Sequence, residues 1–184
     1  MISQRELLAA MRDRLESAQI PSMVVGSLAS SFHGEPRTTR DIDLVIDPSA
    51  AALRTFVDGL PSTDFYVDAN AALEAFQRRT AFNVIEIESG WKVDLLIRRM
   101  RRYSSTEFGR RLRVRLLGVD VDVATAEDTI IAKLEWAQAG ESERQLRDVA
   151  GIVGVSGDTL DRDYLERWIA ELDLGAVWAR AREA

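Results

Sequence analysis

Residues 26–46 read GSLASSFHGEPRTTRDIDLVI. The apolar run that leads into them, SMVVG at 22–26, predicts a short buried strand. The small residues of SLASSFH, 27–33, are compatible with a helix that starts directly after that strand. GEPRTTR, 34–40, reads as a loop. DIDLVI, 41–46, alternates carboxylates with branched apolar residues and ends at Asp47-Pro48, which predicts a strand with one buried face. Residues i and i+2 of a strand share a face, so Asp41 and Asp43 project together, with Ile42, Leu44 and Ile46 on the opposite, buried side. A helix opening at Ser27 leaves backbone N–H groups for an anion, and the serine hydroxyl adds a donor.

A third carboxylate, Asp94, lies in KVDLLI, 92–97, the second half of a hairpin over 81–97. A two-residue loop at Ser89-Gly90 would mix charge and hydrocarbon on each face. A three-residue loop, Glu88-Ser89-Gly90, pairs Glu86 with Lys92 and Ile85 with Val93. Ile85, Ile87, Trp91, Val93, Leu95 and Ile97 then share one face, and Val84, Glu86, Lys92 and Asp94 the other, so this register is the expected one. Three carboxylates on one sheet face repel each other unless cations sit between them. Mg²⁺ binds through carboxylates together with phosphate oxygens, and two such ions about 3.5–4 Å apart stabilise both oxygens of an in-line phosphoryl displacement. A strand Asp-x-Asp can equally be a solvated face. Asp120-Val-Asp122 has the same spacing without a preceding Gly-Ser turn, and it reads as solvent-facing. Val45 stands where an EF-hand needs its third acid, and there is no Walker loop.

At 184 residues and 46% apolar content the chain is long enough for one domain, or one with a small appendage. It has no cysteine and one histidine, which excludes disulfide scaffolds, thiol catalysis, iron–sulfur clusters and multi-histidine metal sites. No apolar run approaches the ~18–20 residues of a membrane span. Ser3 and Glu6 form a capping box before a helix over 4–18, in place of a signal peptide. The expectation is a cytoplasmic protein with no membrane contact. A net charge of −6 argues against general nucleic-acid coating. The basic residues are nonetheless concentrated, with Arg98, Arg99, Arg101, Arg102, Arg110, Arg111, Arg113 and Arg115 in one stretch where Glu107 is the only acid. That stretch is either a solvated face or a polyanion-binding stripe.

Elsewhere the patterns predict helices over 50–59 and 71–79, a strand over 64–67, and a hairpin of 111–117 and 119–123 around Gly118. From Thr125 the chain is helical, over 126–138, 143–153, 161–171 and 174–182. Thr125 with Asp128 and Ser142 with Gln145 supply caps. This places an α/β domain at 1–124 and a helical region at 125–184. Lys133 lies about 60° outside the apolar arc of Ile130, Ile131 and Leu134, by the 100° helical step, as a snorkelling surface lysine would. Asp148 stands beside Arg147 and four residues after Arg144, positions for helix-surface ion pairs. Lys92 is expected to pair with Glu86, and His33 to be incidental.

Gly26-Ser27, Asp41-Ile-Asp43 and the apolar-flanked Asp94 together resemble the motifs of the nucleotidyltransferase superfamily, which shares the DNA polymerase β palm fold. RTTRDIDL is similar to the version in the AbiEii-type toxin group and its uncharacterised relatives. ATAEDTIIAKLEWA followed by RQLRDVAGI resembles that group's C-terminal region, where a helical lysine and a following aspartate recur; Lys133 and Asp148 match them. The resemblance covers about residues 20–155. It implies a mixed nucleotidyltransferase-type sheet with helices on one face, followed by a helical C-terminal region. It also implies that Asp41, Asp43 and Asp94 bind two Mg²⁺ ions (Mn²⁺ serving as well), with Asp94 helping to deprotonate the acceptor hydroxyl. Gly26, Ser27, Arg40 and Lys133 would hold the NTP, with Asp148 and Lys92 as accessory groups. The reaction would move a nucleoside monophosphate to a hydroxyl of RNA, protein or a small molecule such as an aminoglycoside, in a toxin–antitoxin or phage-defence setting with an antitoxin or other partner protein. Arg98, Arg99, Arg101 and Arg102 follow the strand of Asp94 and Tyr103 could stack on a base, which favours an RNA acceptor, for instance a tRNA end. The alternative is a non-catalytic nucleotidyltransferase-like domain that binds nucleotide or a partner protein.

Overall fold

The computed structural model describes residues 2–140 and 142–183. In chain order the elements are α1 Gln4–Ser17, β1 Ser22–Val24, α2 Gly26–His33, β2 Asp41–Ile46, α3 Ala50–Asp58, β3 Phe65–Val67, α4 Ala69–Arg78, β4 Ala81–Glu86, β5 Lys92–Ile97, α5 Arg102–Gly109, β6 Leu112–Leu116, β7 Val119–Val123, α6 Ala126–Gly140, α7 Glu143–Ser156, α8 Arg162–Glu171 and α9 Gly175–Ala181. They form two compact units, Met1–Val24 with Thr39–Val123, and Val25–Thr38 with Ala124–Ala184. The change near residue 124 is thus a unit boundary. Residues 25–38, which the sequence reading places in the α/β domain, group instead with the helices.

The first unit is built on a seven-stranded sheet in the order β3-β4-β5-β2-β1-β7-β6. The pairs β2–β5 and β1–β7 are parallel and the others antiparallel. Ile42, Leu44 and Ile46 of β2 and Val93, Leu95 and Ile97 of β5 are buried on one face. Leu7, Leu8, Met11 and Leu15 of α1 and Leu53 and Phe56 of α3 join this core. Burying these side chains supplies the main folding drive, at roughly 1.5–3 kcal/mol each. Ser3 and Glu6 close the capping box of α1.

The β4–β5 hairpin differs from the expected register. Val84 pairs with Val93 and Ile85 with Lys92, and Glu86 N–H donates to Trp91 O at 2.9 Å, so the loop is Ile87–Gly90, four residues rather than three. Phe82, Val84 and Glu86 consequently lie on the buried face, while Ile87 is exposed. The glutamate accepts this position because its carboxylate folds back over the loop. It takes the Ser89 hydroxyl and the N–H groups of Ser89 and Glu88, which hold it below the ordinary carboxylate range. Local satisfaction of one charged group shifts the register by one, a possibility that alternation alone does not reveal. At the β6–β7 turn, Leu117 and Gly118 both have positive φ, at 51° and 79°, the two-residue geometry that suits a right-twisted hairpin. Helix α5 is unexpected from the sequence. Only Tyr103 and Phe108 are apolar among its buried residues, too few for a periodic signal.

In the second unit, α2 packs on α6 and α7, and α8 and α9 complete the bundle. Thr125 caps α6, its Oγ1 accepting from Asp128 N–H at 3.1 Å and donating to the Asp128 carboxylate at 2.7 Å. Ser142 precedes α7 without a side-chain cap. Gly34 lies against the α7 backbone, where a Cβ would stand 2.7 Å from Ile152 N, so only glycine lets the loop after α2 approach so closely.

Candidate functional site

Asp41 is paired with Lys92, and Asp43 with Asp94, across the parallel strands β2 and β5. Side chains of register partners share a sheet face, so Asp41, Asp43, Lys92 and Asp94 stand together on the face opposite Ile42, Leu44, Val93 and Leu95. The three carboxylates thus share one face, as expected. Lys92 does not reach Glu86. The observed register places Ile85 opposite it, and its ammonium lies 2.9 Å from Asp94 Oδ2 and 3.9 Å from Asp41 Oδ1. The hydrogen bond to Asp94, followed by the charges of Asp94, Asp41 and Asp43, pushes the Lys92 pKa up. An ammonium here offsets the repulsion that three like charges on one face would otherwise carry.

The donor set suits a hard divalent cation, because it consists of carboxylate oxygens from two adjacent strands. Among the described residues no three acidic or histidine side chains surround a single point at ligand distance. The cation beside these carboxylates is the ammonium of Lys92.

The second unit holds a different assembly. Asp148 on α7 receives a forked contact from Arg37, Nε to Oδ1 at 2.9 Å and Nη2 to Oδ2 at 3.0 Å, while Lys133 Nζ donates to Oδ2 at 2.6 Å. Arg37 Nη2 also donates to Ser27 Oγ. Lys133 is only 4% exposed. It is therefore no surface lysine, and Asp148 turns to Arg37 and Lys133 rather than to Arg144 and Arg147. Burial alone would raise the Asp148 pKa, but hydrogen bonds and charge from Arg37 and Lys133 outweigh it and hold the carboxyl below its ordinary value. Gly26 has φ 62°, which lets the chain turn into α2, and no side chain caps that helix. Sequence reasoning missed Arg37. Of the two arginines in RTTR it marked Arg40, which is exposed and makes no hydrogen bond or ion pair among the described residues. What brings Arg37 to Asp148 is the close approach of Gly34 to α7, a long-range contact that the sequence does not signal. His33 is structural, its Nε2 meeting Ala124 O at 2.7 Å, and burial lowers its pKa.

The arginine stretch does not form one stripe. Arg98, Arg99, Arg101 and Arg102 follow β5, whereas Arg113 and Arg115 lie on β6, four strand spacings away, on the order of 19 Å. Arg98 is tied to Asp47 and Ser105, Arg101 to Ser104, Arg111 to Asp122 and Arg113 to Glu16 and Asp122. Asp122 is therefore an ion-pair partner rather than simply solvent-facing. Tyr103 is 2% exposed under the Arg101 guanidinium, so it presents no face to a base. Among the described residues, the side chains of Arg99 and Arg115 alone in this stretch make no hydrogen bond or ion pair.

No protein-family model matches the chain, and no curated protein matches it. Solved structures do. The antibiotic-resistance factor ANT(2'')-Ia aligns over 98% of this chain and 95% of its own, with TM-score 0.57 at 12% identity. An antigenic nucleotidyltransferase-like protein from Paracoccidioides brasiliensis aligns over 98% and 92%, with TM-score 0.55 at 17% identity. The lincosamide antibiotic adenylyltransferase LnuA, in its lincomycin-bound structure, aligns over 84% and 98%, with TM-score 0.55 at 11% identity. At these identities the likeness is one of fold, and the chain has a nucleotidyltransferase-type fold.

Proposed function

We propose that the chain is a nucleotidyltransferase that moves a nucleoside monophosphate from an NTP to an acceptor hydroxyl and releases pyrophosphate. The observation that carries this is the shared face of Asp41, Asp43 and Asp94, with Asp43 and Asp94 in register on adjacent parallel strands. Asp41, Asp43 and Asp94 would hold Mg²⁺, which when bound neutralises phosphate charge and polarises the reacting oxygens. Asp94 would also take the proton of the attacking hydroxyl. Lys92 would leave its contact with Asp94 as the metal-bound nucleotide arrives. Ser27 and the N–H groups that follow Gly26 would contact the phosphates. Lys133 and Asp148 would act as a pair, which is the part of the AbiEii-type resemblance that the 2.6 Å contact supports. Arg40 remains a candidate phosphate contact through its exposure alone.

The acceptor we favour is an RNA hydroxyl, in a toxin–antitoxin or phage-defence setting with a partner protein that restrains the activity. Its support is Arg99, exposed two residues after the strand of Asp94, rather than a continuous stripe. An antibiotic hydroxyl is the second reading, because two of the fold neighbours act in antibiotic resistance or antibiotic adenylylation by their names. The test is incubation with each α-labelled NTP and Mg²⁺ against total RNA, an aminoglycoside and a lincosamide. Label in RNA supports the first reading and label in an antibiotic the second. Nucleotide binding without pyrophosphate release from any combination points to the non-catalytic alternative.

A further inference from the structure

The geometry points to Arg37 as a positioning residue for Ser27, an inference that rests on the reading of Ser27 as a phosphate contact. Ser27 is the second residue of α2, and its hydroxyl accepts from Arg37 Nη2. A hydroxyl has one proton to donate and two lone pairs to accept with, whereas a guanidinium only donates. With Arg37 on a lone pair, the Ser27 proton cannot be spent on Arg37. The charge beside it makes the hydroxyl a better donor, which is the polarity a phosphate oxygen requires.

Arg37 is itself held in place. Its Nε and Nη2 engage both oxygens of Asp148, so the plane of the fork is fixed rather than only its charge. Asp148 is in turn held by Lys133 at 2.6 Å. The backbone is pinned as well, since Arg37 N–H donates to Ser31 Oγ at 3.2 Å and the Ser31 hydroxyl donates to Arg37 O at 3.4 Å. Gly34, three residues earlier, sits against α7 where no Cβ fits. One guanidinium therefore spans from α7 to the first turn of α2. Lysine concentrates its donors at one point and cannot bridge Asp148 and Ser27 in this way.

The test is a double-mutant cycle. Affinity for Mg²⁺ with each of ATP, CTP, GTP and UTP is measured by titration calorimetry for the wild type, Ser27→Ala, Arg37→Lys and the double variant, with melting curves of each without nucleotide. Arg37→Lys keeps a cation beside Asp148, so the melting temperature should stay within a few degrees. Each single change should weaken the best NTP about tenfold, the scale of one charge-assisted hydrogen bond, and the double change by little more than either alone. Should Arg37→Lys not fold, Arg37→Gln replaces it, its amide keeping one donor for Asp148. Additive losses of about a hundredfold, or unchanged affinity in a folded Arg37 variant, would overturn the positioning role while leaving the phosphate site intact. A wild-type protein that binds none of the four nucleotides would overturn both the site and the inference.

Discussion

Asp43 and Asp94 are register partners on the parallel pair β2–β5, and the ammonium of Lys92, two residues from Asp94 on the same face, holds that carboxylate at 2.9 Å. The acidic face therefore carries its own cation. A metal ion bound to these carboxylates would have to displace it.

Mg²⁺ with a bound NTP should raise the melting temperature by mass action, by about 2.7 kcal/mol of added stability at a hundredfold excess over Kd. Asp43→Asn should remove most of that rise and change the stability of the metal-free protein little, since a like-charge repulsion and an attraction to Lys92 are lost together. Differential scanning fluorimetry checks both halves. A mutant with the full metal-dependent shift would show that Asp43 is not a ligand.

Lys92→Met should act in the opposite sense. Without the ammonium, the carboxylates of Asp41 and Asp94 lose a partner, and the metal-free protein should become less stable in low salt. Its affinity for Mn²⁺ in the absence of nucleotide should rise several-fold, because no resident cation has to be displaced. Titration of Mn²⁺ followed by electron paramagnetic resonance reads this directly, and weaker Mn²⁺ binding would mean that Lys92 assists the metal rather than competing with it.

Gly34→Ala places a Cβ 2.7 Å from Ile152 N and 2.9 Å from Gly151 C, both backbone atoms that cannot swing aside. The expected loss is about 1–3 kcal/mol, the usual cost of overpacking. Urea denaturation measures it, and stability within 0.5 kcal/mol of the wild type, on the order of a surface change, would mean that the loop relaxes freely.

The Asp148 carboxyl is held below its ordinary value of 3.8. A group whose folded pKa is lowered stabilises the fold above its unfolded pKa and loses that contribution as pH falls through the folded one. The wild type should therefore lose stability on acidification below about pH 3.8 more steeply than Asp148→Asn, whose amide does not titrate. At pH 7 the variant should be less stable by about 3–5 kcal/mol, since both cations lose their buried anion. Parallel acid profiles of the two proteins would settle the sign.

Most of the architecture was legible because it rests on short-range signals. The Ser3–Glu6 box, the alternation of DIDLVI and the helical spacing of 126–138 each place an element within a few residues of where it lies. The three carboxylates were legible for the same reason, because strand parity decides their face. The pairing of Lys92 was not, since the register differs by one, which puts Ile85 rather than Glu86 opposite the lysine and leaves it to Asp94 on its own strand. Nor was the role of Arg37 visible. It depends on Gly34 meeting α7 more than a hundred residues later, a contact with no local pattern. The arginine density suggested a stripe, but the sheet order separates β5 from β6 and carboxylates elsewhere in the fold claim several of its members.

The central claim is that the carboxylates of β2 and β5 hold the metal of a metal–nucleotide complex. The most direct measurement is Mn²⁺ binding by electron paramagnetic resonance with a non-cleavable α,β-methylene NTP, on the wild type, Asp43→Asn and Asp94→Asn. The account predicts nucleotide-dependent Mn²⁺ binding in the wild type and its loss, by at least tenfold in affinity, in both variants. Equal Mn²⁺–nucleotide affinity in all three proteins would contradict it.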